Sequence, residues 1–322
     1  MNTKQVQNPD ITIYDKHNYD YSKFWETRTY EHHAEAYALN KLLKNTTGKW
    51  FIDIGGSYGR HIPLYYKRYK QKVIADYSIA SLKQASRNIQ KHKMKNIHLV
   101  GANIYNLPFK ENVFNGAIMI RVLHHIEQPE LAFTQISRIL AKNSNLILEF
   151  PNVNHLKSLI RKILDVEKDY SVSHGFKSLI TSQTPEGTSR ETPGIILNFN
   201  PKFIKKVLKS HGLQTNRIVS VSFFRIPILK KILPLSFMNV LEAICQSLFS
   251  WTQLTPSLVY STVKGTGKEL TPETTDDIES ILCCPKCKGN LKRIANAMLC
   301  TNCKADYPVR NNIYDLRYPI IK

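Results

Sequence analysis

The stretch Phe51-Ile52-Asp53-Ile54-Gly55-Gly56-Ser57-Tyr58-Gly59 decides the fold of this chain. Its first part has the apolar character of a buried strand end, and three glycines follow at once. Glycines let the backbone turn sharply and lie against a ligand without a clashing Cβ atom. The pattern is therefore typical of a ligand-binding turn at the carboxyl end of the first strand of an open α/β sheet.

A dinucleotide loop is the rival interpretation of this turn. It would need glycines at positions 55, 57 and 60, and the chain has Ser57 and Arg60 at the last two. Asp53, two residues before the first glycine, suits the ammonium of methionine better than a pyrophosphate. Asp76 lies 23 residues after Asp53, where an acid can accept hydrogen bonds from ribose hydroxyls. Either acid could instead be the N-cap of a helix.

Apolar runs and amphipathic segments alternate on both sides of this turn. Their spacing predicts strands over Trp50–Ile54, Lys72–Tyr77, Ile97–Gly101, Gly116–Val122 and Asn145–Phe150. It predicts helices over Tyr21–Lys44, Arg60–Lys70, Ser81–Lys91 and Pro129–Leu140. This alternation indicates an α/β fold: a Rossmann-like, doubly wound, mostly parallel sheet with helices on both faces.

Four of the six cysteines form two C-x-x-C pairs near the C-terminus. Cys284 and Cys287 are the first pair, and Cys300 and Cys303 follow after twelve intervening residues. Four thiolates at this spacing complete a tetrahedral Zn²⁺ site with no open position, so the predicted metal site is structural. A domain of about 40 residues needs a structural metal or a similar cross-link because its hydrophobic core is small. The alternative, a disulfide framework, is disfavoured because nothing indicates secretion.

These signals divide the chain into three parts. Residues 1–265 are predicted to form the main domain, 266–279 a linker rich in Gly, Thr, Pro and acidic residues, and 280–322 a small C-terminal zinc ribbon. Within the main domain, residues 151–251 are expected to include a helical insertion that acts as a lid or shapes a substrate pocket.

The chain carries a net charge of +20. A basic surface attracts RNA, DNA or anionic membranes, although a genome bias towards Lys, Asn and Ile would give the same composition. The N-terminus lacks the apolar core of a signal peptide. The apolar stretch 226–251 is interrupted by charged residues and a proline, so no transmembrane segment is predicted. Thiols that stay available for metal suggest a reducing compartment, and we predict a cytoplasmic protein.

Four blocks between about residues 50 and 150 resemble the class I S-adenosylmethionine (SAM) methyltransferases. The similar branch includes ubiquinone/menaquinone biosynthesis methyltransferases and tRNA wobble-uridine methyltransferases. The blocks stand in the family's order, at Asp53–Gly59, Val73–Ser78, Ala102–Phe109 and Phe114–His125. The chain departs from the usual pattern at Ser57, where the family has Gly, and at Asn103 and Asn115, where it has Asp. The resemblance implies a SAM-dependent methyltransferase.

The same resemblance implies a set of cofactor-binding residues. Asp53 and Gly55 would contact the methionine moiety and Asp76 the ribose, while Tyr77 would pack on the adenine. Asn103 would bind the adenine edge together with the backbone amide of the next residue. The whole set comprises Asp53, Gly55, Gly56, Gly59, Asp76, Tyr77, Asn103, Ile104 and Arg121.

A second resemblance covers the cysteine region. The segments Leu282–Cys287, Leu299–Cys303 and Tyr307–Asp315 resemble the zinc-ribbon activator subunit shared by several tRNA, rRNA and protein methyltransferases. In that family the ribbon is a separate chain that stabilises its catalytic partner. Here it is fused, so we expect the ribbon to pack on the methyltransferase domain. Its basic residues either bind RNA phosphates or form a solvated surface.

Methyl transfer from a sulfonium is an in-line displacement in which orientation can supply much of the effect. Arg121, His124 and His125 follow the fourth predicted strand, where substrates bind in open α/β sheets, and they are our catalytic candidates. Structural histidines at a strand-to-helix turn are the alternative. Further base candidates are Glu149, His155 and His174.

The acceptor remains open at this stage. We expect transfer to an N or O atom of a small, partly apolar molecule, slightly favoured over RNA (tRNA or rRNA). A non-catalytic SAM-binding scaffold that activates another chain is the third hypothesis. The helix Ser236–Trp251 bears one apolar face, which is expected to pack on the sheet or roof the acceptor pocket. The alternative for residues 226–251 is peripheral contact with a membrane.

Overall fold

A computed structural model of the chain describes residues 25–164, 176–180, 195–268 and 275–320. His174 and the middle of the predicted linker lie outside the described residues. The first part contains helix α1 (Thr29–Leu43), β1 (Gly48–Ile54), α2 (Ile62–Tyr65), β2 (Tyr69–Asp76), α3 (Ile79–Lys91), β3 (Ile97–Gly101), β4 (Phe114–Met119), α4 (Pro129–Ile139) and β5 (Leu140–Pro151).

The remaining elements complete the sheet and form the C-terminal piece. They are α5 (Leu156–Ile163), β6 (Phe176–Ile180), β7 (Ile195–Phe199), α6 (Pro201–Ser210), β8 (Leu213–Val221), α7 (Pro227–Ile232), α8 (Leu235–Leu248) and β9 (Ser257–Lys264). The C-terminal elements are α9 (Ile278–Ile281), β10 (Leu291–Ile294), β11 (Ala297–Cys300), β12 (Asp306–Arg310) and β13 (Ile313–Asp315).

One sheet of eleven described strands organises the molecule, in the order β10-β11-β12-β13-β3-β2-β1-β4-β5-β9-β8. Strands β1 to β5 pair in parallel, and β9 runs antiparallel between β5 and β8. The central strands are buried nearly throughout, as expected when both faces of a parallel sheet are covered. The predicted Rossmann-like fold with a C-terminal ribbon is confirmed.

The helix predicted over Arg60–Lys70 is wrong in length. The helix ends at Tyr65, and β2 already begins at Tyr69. Tyr69 is buried and its ring centroid lies 4.5 Å from that of Phe51 on β1. Burial within the sheet overrides the local helical spacing, because propensity is a weak prior against tertiary packing.

Helix α8 is oriented opposite to our expectation. The apolar face was expected inside, but Trp251 is 79% exposed and Phe237 is also exposed. Glu242 and Gln246 are buried instead, and face α1. Glu242 accepts hydrogen bonds from the Tyr30 hydroxyl and from two backbone N–H groups after β8, and Gln246 Nε2 donates to a carbonyl of α1 over 2.9 Å. These partners make burial of the polar face possible.

The ribbon is continuous with the main sheet. Strand β13 pairs in parallel with β3, with Ile313 opposite Leu99 and Asp315 opposite Gly101. Apolar residues of both parts belong to one core, and the expected packing of the ribbon on the main domain is present. In the last part of the predicted linker, the carbonyl of Thr275 accepts a hydrogen bond from the Trp50 indole over 3.0 Å.

Among the described helices, none has both the length and the apolar character needed to cross a bilayer.

Candidate functional site

The glycine turn after β1 has the shape of a ligand cradle. Gly55 and Gly59 have φ angles of +70° and +83°, a region that favours glycine. A Cβ atom on Gly56 would lie 2.7 Å from Cγ of Asp53. The turn is therefore closed to side chains at three positions, which leaves bare backbone facing the carboxyl edge of the sheet. This geometry fits the loop predicted to hold SAM.

Asp53 lies beneath this turn and is only 1% exposed. Its Oδ2 accepts a hydrogen bond from the Tyr65 hydroxyl over 3.0 Å. Burial raises the pKa of Asp53 to about 7, and the carboxylate of Asp76 adds to the rise, while Tyr65 and Arg60 oppose it. A buried carboxyl group with a raised pKa is typical of a functional site. The contact of Asp53 with the methionine moiety remains a prediction.

Asp76 ends β2 beside the glycine turn. Its Oδ2 accepts from the backbone N–H of Ser57, and its Oδ1 from that of Ser78, both over 2.8 Å. The carboxylate therefore fixes the glycine turn and the start of α3 together. A carboxylate offers about four acceptor positions, which is compatible with the predicted ribose contact. Tyr77 follows directly at the same edge.

The predicted adenine-binding residues follow strand β3. Asn103 follows β3, and its Oδ1 accepts from the backbone N–H of Tyr105 over 2.9 Å. It thereby caps a short 3-10 helix over Ile104–Asn106. Its side-chain amide can still donate, as an adenine edge requires. The cap was not predicted from the sequence, and it is compatible with the adenine contact that the resemblance implies for Asn103.

Arg121 lies two residues beyond β4 with a positive φ of 60°, an uncommon conformation for a side chain of this size. It forms an ion pair with Glu35 of α1, which is buried and also binds Arg60 over 2.8 Å. The guanidinium carbon of Arg60 lies 3.5 Å from the ring centroid of Trp25. Sequence reasoning missed Glu35 and Arg60 as site residues. The only available signal was an acid on the inner face of a predicted helix.

Two more buried acids border Arg121. Glu149, near the end of β5, accepts from the Arg121 backbone N–H over 3.0 Å and from the Ser257 hydroxyl. Burial raises its pKa, opposed by Arg121. Glu31 of α1 pairs with Lys230. The carboxyl ends of β4 and β5 therefore carry a dense set of alternating charges, suited to orienting a polar group of an acceptor.

The histidine candidates differ in their surroundings. His124 and His125 belong to a short 3-10 helix after β4, with ring centroids 3.9 Å apart. Burial holds the pKa of His124 well below its usual value, and His125 and Arg121 lower it further. His124 is therefore neutral at pH 7, and its protonation is disfavoured. His155 instead caps α5 through a 3.4 Å contact from the Ser158 N–H, which gives it a structural role.

The four predicted metal ligands converge. Their Sγ atoms all lie within 4.8 Å of one another, with 3.7 Å between Cys284 and Cys303 and 3.5 Å between Cys287 and Cys300. Tetrahedral zinc with bonds of about 2.3 Å to sulfur implies edges of about 3.8 Å. The thiols fit a structural Zn²⁺ ion without rearrangement of the backbone.

Two family models match the chain. One, described as a methyltransferase domain, matches residues 52–148, and another, described as Trm112p-like protein, matches residues 279–312. These are the two segments for which the sequence resemblances were noted. The predicted combination of a methyltransferase domain with a fused zinc-ribbon segment is confirmed by these two matches.

Individual relatives are more distant. An uncharacterized protein of Haemophilus influenzae is 30% identical over 155 residues, which is 44% of this chain and 58% of the relative. The chain thus spans less than two thirds of that relative. A putative SAM-dependent methyltransferase from Listeria monocytogenes has 16% identity and a TM-score of 0.49, with 72% of this chain and 97% of that chain covered. A Haloferax volcanii complex between the Trm112 methyltransferase activator and a putative methyltransferase gives 14% identity, a TM-score of 0.48, and coverage of 78% and 95%.

Proposed function

We propose that this methyltransferase-domain protein transfers a methyl group from SAM to an N or O atom of a small, partly apolar acceptor. The observation that carries the SAM assignment is the glycine cradle of residues 55–59, which lies between Asp53 and Asp76. Asp76, Tyr77 and Asn103 extend this site along the carboxyl edge of the sheet, where ligands bind in open α/β folds.

SAM, when bound, supplies a methyl group that is already activated on sulfur. The chain's own contribution is orientation and exclusion of water. Arg121 and Glu35 fix α1 over the ends of β4 and β5, beside the cofactor turn. The Nδ1 atom of His124 is buried and has no hydrogen-bond partner among the described residues. We assign it as a neutral hydrogen-bond acceptor that orients the N–H or O–H group of the acceptor molecule, because burial beside Arg121 lowers the pKa of His124 and disfavours its protonation.

The outward apolar face of α7 and α8 favours an apolar acceptor that the protein meets at a lipid surface. Ile228 and Ile232 are exposed on α7, Leu248 is exposed at the end of α8, and Trp251 is exposed in the short 3-10 helix that follows. Helix α5 begins beside this face, since the Leu156 N–H donates to a carbonyl at residue 254 over 2.8 Å.

Helix α5 has the same character. It exposes Ile160 and Ile163, and it carries Lys157, Arg161 and Lys162. The only acid in the three helices is Glu242, which is buried. Exposed apolar groups with basic neighbours are the combination that binds anionic lipid headgroups. We therefore assign this face to peripheral contact with an anionic membrane.

Sedimentation with vesicles tests this assignment. The protein should sediment with phosphatidylglycerol-containing vesicles and stay in solution with pure phosphatidylcholine. Trp251→Glu should abolish sedimentation, because it places a charge in the apolar face. Ile294→Glu, at a half-exposed ribbon position (50%), is the matched control and should behave like the wild type. Equal sedimentation of both variants would refute the membrane assignment.

RNA is the alternative acceptor, and the exposed basic residues of the ribbon favour it. Lys286, Lys292 and Arg310 are exposed, and the side chains of the last two have no acidic partner in the described part of the chain. Phosphate contacts make affinity fall steeply with salt. Binding to total tRNA that weakens steeply between 50 and 200 mM salt would support RNA, because a small acceptor predicts no such dependence.

A transfer assay identifies the acceptor class. Methyl-labelled SAM is incubated with cell extract, which is then separated into RNA, protein and organic-soluble fractions. Label in the organic fraction supports the small apolar acceptor. RNase-sensitive label makes RNA the acceptor. SAM binding without transfer to any fraction would favour the non-catalytic scaffold.

The ribbon's function follows from its thiols. We propose one structural Zn²⁺ per chain at Cys284, Cys287, Cys300 and Cys303. A site of four thiolates needs a reducing environment to remain open to metal, and this supports a cytoplasmic location. Metal analysis of freshly purified protein tests the site, and absence of zinc would contradict it.

A further inference from the structure

The C-terminal end of the ribbon reaches the predicted adenine site. Strand β13 is parallel to β3, which is parallel to β2. Their carboxyl ends therefore meet at one edge of the sheet. Residues 315–318 emerge from β13 at this edge, next to Tyr77. These residues lie beyond the segment 279–312 that matches the Trm112p-like family.

Arg317 makes the central contacts of this segment. Its Nε and Nη2 donate to the two carboxylate oxygens of Asp315 over 2.8 and 2.9 Å. The remaining nitrogen, Nη1, donates to the backbone carbonyl of Tyr77 over 2.7 Å. The guanidinium carbon lies 5.4 Å from the centroid of the Tyr77 ring, within the range of a cation–π interaction.

The orientation of the Arg317 guanidinium between Asp315 and Tyr77 is well defined. Asp315 ends β13 opposite Gly101, so its carboxylate is anchored to the sheet. The Arg317 side chain is 14% exposed, and a bidentate carboxylate leaves a guanidinium few alternative orientations. Tyr318 adds an edge-to-face contact, with its ring centroid 6.2 Å from that of Tyr77 at 79°. The backbone and the ring of Tyr77 are thus both held from the ribbon.

We propose that Arg317 is a positioning residue of the cofactor site: held by Asp315, it fixes Tyr77 in the orientation against which the adenine of SAM packs. The inference rests on the proposed function, since it requires that Tyr77 contact SAM. It gives the fused ribbon a role in cofactor affinity through two residues outside the metal site. An aromatic ring fixed before binding loses less entropy when the ligand arrives.

The test is calorimetric titration of S-adenosylhomocysteine into the full-length, zinc-loaded protein. Arg317→Ala should weaken binding about tenfold, as expected when a charged hydrogen bond that orders the site is lost. Arg310→Ala removes an exposed arginine of the same ribbon and should change affinity less than about twofold. Arg317→Lys keeps the charge without the fork and should fall between the two.

A double-mutant cycle separates positioning from a general structural effect. In a Tyr77→Ala background, Arg317→Ala should lose most of its effect, because the ring that it orients is absent. Zinc content and melting temperature are measured for every variant. If Arg317→Ala fails to fold, the same double-mutant cycle with Tyr77→Ala is measured for Arg317→Lys and for Tyr318→Ala, which changes an exposed residue.

The outcomes distinguish the inference from the function on which it rests. If the wild type does not bind S-adenosylhomocysteine, the proposed function fails and the inference fails with it. If the wild type binds, and Arg317→Ala either binds equally well or weakens binding equally in the presence and absence of the Tyr77 ring, the inference alone is overturned.

Discussion

The buried ion-pair network around Glu35 allows a stability prediction from the structure. Glu35 is 1% exposed and contacts Arg60 and Arg121, whose side chains are 9% and 20% exposed. Glu35→Gln keeps the shape of the side chain and removes its charge. Two guanidinium groups would then remain near a neutral amide, largely out of water.

Breaking a buried pair from one side costs about 3–5 kcal/mol. Arg121 keeps some contact with solvent, so we expect the lower end, about 3 kcal/mol, for Glu35→Gln. Such a loss is a large share of the stability of an ordinary domain. It should appear as a lower urea midpoint at pH 7, measured by circular dichroism on the zinc-loaded protein. The matched control is Asp276→Asn, which breaks the surface pair with Lys49 (3.1 Å; Asp276 side chain 61% exposed) and should cost less than about 1 kcal/mol.

The pH dependence gives an independent check. The two arginines outweigh burial and lower the pKa of Glu35 below its usual 4.5, although burial alone would raise it. A lowered pKa in the folded state contributes stability above pH 4.5, and this contribution is lost as the pH falls through the lowered value. The gap between wild type and Glu35→Gln should therefore shrink in acid. A gap that is as small as that of Asp276→Asn at pH 7 would refute the reasoning.

Three further predictions concern the metal and the cofactor. Cys300→Ser should lose the zinc and unfold the ribbon locally, whereas Cys245→Ser, away from the cluster, should keep one zinc per chain by metal analysis. Asp76→Ala should weaken S-adenosylhomocysteine binding by about 1–3 kcal/mol, because the Ser57 and ribose donors lose their acceptor; unchanged calorimetric affinity would contradict the assignment. Burial raises the pKa of Asp53 from 3.8 to about 7, so wild-type stability falls as the pH rises through this window. The stability advantage of Asp53→Asn should grow between pH 4 and 7, by up to about 4 kcal/mol, and a difference independent of pH would argue against it.

The sequence predicted the parts of the site that depend on local pattern. The turn after β1 could be recognised because glycines at fixed offsets report a backbone that no other residue adopts easily. The cysteine pairs were equally informative, since their spacing is imposed by the metal. The position of Asp76 at the carboxyl edge of the sheet could be predicted because this residue ends an apolar strand.

Contacts between residues far apart in the chain were not accessible in this way. Glu35 and Arg121 are separated by 86 positions, and Tyr30 and Glu242 by 212. Nothing in the local pattern of α8 shows that Glu242 would find a hydroxyl and backbone donors inside. Without knowledge of these partners, the general rule that apolar residues point inward was the better basis for predicting the orientation of α8. For this helix that prediction was wrong.

The position of the ribbon connects the proposed zinc site to the proposed cofactor site. Without residues 275–320, β3 would be the edge strand of the described sheet, with unpaired backbone groups. Strand β13 covers this edge, and the Leu316 N–H donates to the Gly101 carbonyl over 2.9 Å. The remaining ribbon strands are short, so the metal is expected to hold β13 in register.

Removal of zinc should therefore weaken S-adenosylhomocysteine binding, although no cysteine lies at the glycine turn. The loss of zinc would disorder β13, which would displace Arg317 and thereby release Tyr77. A chelator titration followed by calorimetry measures the effect, and the Arg317→Ala variant is the control. Zinc removal should cost the variant less affinity than it costs the wild type, because the contact that transmits the effect is already lost. An equal loss in both proteins would show that zinc acts on the cofactor site by another route.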